Sequence, residues 1–310
     1  MGRIALKVDV DTLRGTQEGV PRLLEVLERH GARATFLFSL GPDHTGWALR
    51  RAFRPGFASK VARTSVLAHY GLRTLAYGVL LPAPDIGRRA VAHMRAAQAA
   101  GHECGIHAWD HVVWQDNVRR RDEAWTRRQM QAAWDRFVEV FGQAPSTHGA
   151  AGWQMNPYAF GQIDDWGMTH ASDGRGWGPY VVTIDNRPCK HVQLPTTLAT
   201  FDELIGKDGI DERNVGKAVL ASTEADRDHV FTLHAELEGG LLAPAFERLL
   251  KGWRAQGHVL MALDDLRRHV VVDMLPQWPV TWGEVQGRSG SLLVAPGLRS
   301  ARGEAKAGIT

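Results

Sequence analysis

The stretch GHECGIHAWDH (101–111) sets His107 and His111 four positions apart, directly after a short apolar run. Side chains at that spacing on a helical turn share one side, so both imidazoles can reach a single ion, about 2.0 to 2.1 Å away if it is zinc. Alone the pair says little, because the chain has 14 histidines and polar loop positions use them freely. The segment KVDVDT changes that: it carries Asp9 and Asp11 at the same parity of an apolar strand, aimed to one side. Carboxylates in such a place are costly unless they are paired, solvated or bound to a metal. One of the two supplies a third ligand, and the other is left to take a proton from water. Two histidines and a carboxylate around a divalent ion with open positions form a hydrolytic pattern, in which the ion acidifies water and polarises a carbonyl. His234, in VFTLHAELEG, is the natural proton donor for a leaving amide nitrogen. Asp173, in HASDGRGWG, either orients and charges that imidazole or serves as a turn Asp before Gly174.

An alternation of strands and helices must position these residues. RIALKVD (3–9), RATFLFS (33–39), HECGIHA (102–108) and HVFTLHA (229–235) read as strands, with shorter candidates at 146–149, 168–173 and 192–196. Helices are expected over 19–31, where Pro21 stands near the start and Gly31 past the end, over 85–101 from an Asp85 N-cap, over 125–142 and over 243–257. This α/β alternation implies a mainly parallel sheet, open or closed into a barrel. Asp9, Asp11, His107, Asp173 and His234 all fall at the C-terminal ends of predicted strands, which is the catalytic face of a β/α barrel. Past about residue 270 the pattern decays. A catalytic domain at 1–270 is therefore expected, followed by an irregular tail at 271–310.

Composition narrows the classes. With 310 residues, 44% apolar and 23% charged, the chain can bury a sizeable core and is neither disordered nor fibrous. Two cysteines, Cys104 and Cys189, give no disulfide framework. MGRIALKVDVDT runs from Met1 straight into a strand without a signal-peptide core, and no apolar run is long enough to span a bilayer, so a cytoplasmic location is expected. A net charge of +3 matters only where basic residues gather. They gather at 44–84, which has no acidic residue and interleaves Arg50, Arg51, Arg54, Lys60, Arg63 and Arg73 with Trp47, Phe53, Phe57, Tyr70 and Tyr77. A cationic, aromatic-bearing insertion of this kind suits an anionic membrane interface; the alternative is a helical pair packed on the barrel. Nucleic acid is a poorer partner, because the remaining surface adds little positive charge.

DVDT, HAWDH and TLHAE resemble the first, second and fifth motifs of the polysaccharide deacetylase (NodB-homology, carbohydrate esterase 4) family. The order and spacing of KVDVDTLRGTQEGVPRLLEVL, FSLGPDHTG, IHAWDH, AAGW, SDGRG, LPTTLATFDELIG and HAELEG resemble, over residues 3 to 268, its members that deformylate a 4-formamido-arabinose carried on undecaprenyl phosphate. The resemblance implies a distorted (β/α) barrel with fewer than eight complete units and one divalent metal, zinc first, with manganese or cobalt as alternatives. It makes Asp11, His107 and His111 the metal ligands, Asp9 the general base, His234 the general acid and Asp173 the group that tunes that acid. It further implies action at the cytoplasmic face of the inner membrane, in lipid A modification. Alternatives are N-deacetylation of another glycan and a non-catalytic lipid-linked-sugar binding protein. One departure stands out: the family's third motif carries an Arg that orients the base, whereas here the stretch reads HGAAGWQ. Arg14 and Arg175 are the candidates to replace it or to bind substrate phosphate. The backbone N–H of Trp153 or of a neighbour is the oxyanion donor that the resemblance implies, and Glu236 is a further substrate-contact candidate.

Overall fold

The computed structural model describes residues 2–48 and 66–296. Its strands run in chain order as β1 (Arg3–Val10), β2 (Thr35–Ser39), β3 (Glu103–Ala108), β4 (Thr147–His148), β5 (His170–Ala171), β6 (Val181–Ile184), β7 (Arg187–Pro188), β8 (Val192–Gln193), β9 (His229–His234), β10 (Val259–Met261), β11 (Gln277–Pro279), β12 (Trp282–Glu284) and β13 (Ser291–Leu293). The main sheet is parallel, with β1 flanked by β9 along one edge and by β2 and β10 along the other, then β3, β4, β5 and β8 in turn. Thr197 and Leu198 donate to Val230 O, carrying the chain after β8 back towards β9. The result is a distorted barrel. Its units are fewer than its strands suggest, because β5 and β8 are joined through the β6–β7 hairpin rather than a helix.

β1 is buried over nearly its whole length, as expected for a parallel strand covered on both faces. Ile4, Leu6, Val8 and Val10 enter the main core, whereas Ala5, at the opposite parity, packs with Val192, Leu194, Val230 and Met261. Lys7 and Asp9 share the parity of Ala5 and therefore point to the barrel interior. The helices Val20–Arg29, Glu123–Phe141 and Ala243–Ala255 stand where the sequence predicts them. The helix expected over 85–101 is broken at Ala90 into Ile86–Arg89 and Val91–Ala99. Gly87 explains the break: its N–H donates to Leu40 O, and a Cβ there would lie 2.4 Å from that oxygen, so the first turn follows the β2 exit rather than the helix axis.

Of the tail expected to be irregular from 271, the described residues up to 296 include three short strands, while 297–310 lie outside the described residues. β11 pairs with β6, β12 pairs with β13, and Leu292, Leu293, Val294 and Ala295 are buried. Arg175 N–H donates to Leu293 O, and Ala295 N–H to Arg175 O, so SLLVA is a core strand hidden between Gly/Ser/Arg-rich flanks. Of the insertion at 44–84, residues 49–65 lie outside the described residues. The described part is anchored to the barrel: the His44 ring stacks on Trp47 with its Nδ1 2.5 Å from Asp110 Oδ2, and Trp47 Nε1–H donates to Gly78 O.

Candidate metal centre

His107 is the penultimate residue of β3, but His111 does not share a helical turn with it. The chain leaves the strand, Asp110 caps the helix His111–Asn117 by accepting from Val113 N–H at 3.0 Å, and His111 opens that helix. Strand end and helix start still bring both imidazoles to one place. His107 Nε2 lies 3.1 Å from Asp11 Oδ1, and His111 Nε2 lies 3.5 Å from Asp11 Oδ2. One donor atom from each of Asp11, His107 and His111 falls within 4.8 Å of the others.

Whether these residues fit a metal is decided by their other hydrogen bonds. His107 Nδ1 sits 2.6 Å from Gly149 O, so a neutral imidazole carries its N–H at Nδ1 and directs the Nε2 lone pair at Asp11. Asp11 Oδ1 is buried and accepts no hydrogen bond from any described residue. Two lone-pair atoms held face to face call for a cation between them, and the donor set suits a divalent ion. Burial opposes ionisation of Asp11, but in the metal-free protein the His111 and His107 imidazoles, when protonated, outweigh it and hold its carboxyl well below the usual range. A second trio, Asp164, Cys189 and His191, is equally compact. There Asp164 is consumed by Lys190 N–H, His191 N–H and His191 Nδ1, as a loop-bracing carboxylate would be.

Asp9 and His234 are register partners on β1 and β9, so their side chains leave the sheet on one face beside the trio. Asp9 Oδ1 accepts no hydrogen bond and lies 3.8 Å from His107 Nδ1; His234 Nδ1 is buried and also unbonded among the described residues. His234 N–H donates to Glu238 Oε2 at 2.7 Å.

Other expected roles change. Asp173 does not reach His234: its Oδ1 takes His148 Nδ1 at 2.6 Å and Ala150 N–H, and its Oδ2 takes Gln193 Nε2. Burial pushes its pKa up, and the His148 imidazole more than reverses this. Its carboxylate thus braces the β4 end next to Gly149. Arg175 is buried and spent on Glu203 (2.6 Å) and Leu198 O, and Arg14 pairs with Glu18 (2.8 Å); neither meets Asp9. The cation that does is Lys7, whose Nζ is 3.3 Å from Asp9 Oδ2. Trp153 N–H donates to Ala150 O and so is not the oxyanion donor; its ring covers Lys7, Arg175 and Arg288 instead. Glu236 Oε1 gathers Asp11 N–H, Thr12 N–H and Thr12 Oγ1–H, fixing the loop that carries Asp11. This needs Gly15, where a Cβ would lie 2.0 Å from that oxygen. Arg14 and Glu236 also line a cavity of about 180 Å³ with Glu18, Arg22 and Leu241. Sequence reasoning missed Lys7, His148 and Gly149. Lys7 carried a signal, since a cation at the parity of Asp9 in an apolar strand has to be paired.

The profile of the Polysaccharide deacetylase family matches residues 2–171, more than half the chain. The chain belongs to that family. Membership makes it a hydrolase of amide bonds, with Asp11, His107 and His111 as its candidate metal ligands. Over 293 residues it is 34% identical to a protein of Shewanella sediminis named as a probable 4-deoxy-4-formamido-L-arabinose-phosphoundecaprenol deformylase, covering 94% of this chain and 93% of that one. A Wigglesworthia glossinidia brevipalpis protein of the same name is 28% identical over 278 residues, covering 89% and 96%. Among solved structures, a probable polysaccharide deacetylase from Pseudomonas aeruginosa shares the fold, with a TM-score of 0.57 at 18% identity, covering 86% of this chain and 91% of that one.

Proposed function

We propose that the chain is a metal-dependent deformylase of 4-deoxy-4-formamido-L-arabinose carried on undecaprenyl phosphate, yielding formate and the free 4-amino sugar. The observation that carries this reading is the relative named for that reaction, 34% identical across 94% of the chain, supported by Asp9, His234 and the Asp11, His107 and His111 cluster lying together at the mouth of one barrel. A divalent ion held by Asp11, His107 and His111, zinc or else manganese or cobalt, would supply a Lewis acid that polarises the formyl oxygen and acidifies water. Asp9 takes the proton from the water that attacks the formyl carbon. His234, across the β1–β9 pair, gives a proton to the sugar nitrogen as the C–N bond breaks, so the amine leaves neutral. Arg14 and Glu236, on the neighbouring cavity, are placed to contact the sugar or its phosphate.

The reading puts the protein at the anionic cytoplasmic face of the inner membrane, in lipid A modification and resistance to cationic peptides such as polymyxin. No helix among the described residues is long and apolar enough to cross a membrane. Leu72 and Leu80 stand 74% and 83% exposed in the basic insertion, which suits a peripheral contact that leaves the polyprenyl tail in lipid. Formate release from the lipid-linked formamido sugar, compared with acetate release from its acetamido analogue, tests the proposal. Formate from the wild type and none from His107→Ala is the expected result; acetate alone would assign the protein to glycan deacetylation, and no release with any of the three metals would refute the reading.

A further inference from the structure

Lys7 is wholly buried in the middle of β1, and its ammonium has one ion-pair partner among the described residues, the Asp9 carboxylate 3.3 Å away. A buried cation is strongly disfavoured unless a counter-charge holds it, so the strand keeps Lys7 at a cost that packing alone does not explain. The ammonium makes no hydrogen bond among the described residues, so the carboxylate and a ring face are what offset its burial. The Nζ lies 5.5 Å from the centre of the Trp153 ring, whose π-face favours a cation. Gly149 leaves room for the stem, since a Cβ there would come within 3.1 Å of Lys7 Cε, and the same glycine offers the carbonyl that orients His107.

We infer that Lys7 is the positioning residue for the base: it holds Asp9 Oδ2 in an ion pair so that the other oxygen stays beside His107, 3.8 Å from its Nδ1, the task that Arg14 and Arg175, paired with Glu18 and Glu203, do not perform. Because β1 supplies both cation and carboxylate two residues apart, the orientation is set within one strand. The inference rests on the reading of Asp9 as base.

Lys7→Met, Asp9→Asn and the double variant test it through two readouts. The first is thermal melting of the metal-free proteins. Each single change strands a buried group and should lower Tm, whereas the double variant should recover most of the loss; additive losses would overturn the pairing. The second uses the metal-loaded proteins. Lys7→Met should lower kcat by about 10²-fold or more, with KM and metal content near those of the wild type and no further loss when Asp9→Asn is added. An active Lys7→Met beside an inactive Asp9→Asn would refute the positioning role and leave the proposed mechanism standing. An active Asp9→Asn would instead refute Asp9 as base, whatever the melting cycle shows.

Discussion

Glu238 sits four residues beyond His234, fully buried, and accepts the His234 N–H at 2.7 Å. Burial pushes its carboxyl up from 4.5 to about 8, against the opposing effect of that N–H. The sign of the consequence follows directly. The folded protein keeps a proton on Glu238 that the unfolded chain gives up near 4.5, so stability is highest below 4.5 and falls as the pH rises towards 8. At 1.36 kcal/mol per pH unit the full loss is about 4 to 5 kcal/mol. Glu238→Gln keeps an acceptor for His234 N–H and removes the titration. Urea melts of the metal-free wild type and variant should give similar stabilities near about pH 5 and a widening advantage for the variant up to about pH 9, approaching that magnitude. Comparing the two proteins at each pH cancels every other titrating group. Parallel stability curves would show that Glu238 ionises freely in the folded protein and that its burial does not act as argued.

Asp9→Asn should cut kcat by about 10²- to 10⁴-fold, the usual share of a general base, while metal analysis finds the ion still bound. Metal affinity should fall more than about 100-fold in His107→Ala, beyond the 10- to 100-fold typical of losing an outer partner; equilibrium dialysis against a chelator measures it. Gly149→Ala puts a Cβ 2.2 Å from Leu37 Cδ1, so it should cost about 1 to 3 kcal/mol of stability and weaken metal binding by moving the carbonyl that orients His107. Arg175→Met removes one of two guanidiniums on buried Glu203, and urea melts should show a loss of about 3 kcal/mol, with kcat/KM of the folded enzyme unchanged; a selective rise in KM would restore Arg175 to substrate binding.

The strand–helix alternation, the placing of Asp9, Asp11, His107 and His234 at strand ends and the candidacy of two carboxylates beside His107 and His111 were legible in the sequence, whereas the choice of Asp11 as the third member of the cluster came from the family resemblance. The legible features are local properties: burial periodicity reports which face a residue takes, and strand ends define one rim of a parallel sheet. The structure alone decided the partners. Asp173 went to His148 and not His234, because which carboxylate meets which imidazole depends on how β4, β5 and β9 are ordered around the barrel, and spacing along the chain carries no such distance. Trp153 N–H closed a local turn on Ala150 O instead of facing the substrate. The apolar SLLVA stretch lacked a readable period because a three-residue strand is shorter than the window in which a period shows, and only its docking against Arg175 and Trp153 makes it core. Lys7 lies between these cases. Its parity with Asp9 was plain in KVD, but a lysine in a strand is ordinary until the fold closes over it and leaves that carboxylate as its one ion-pair partner among the described residues.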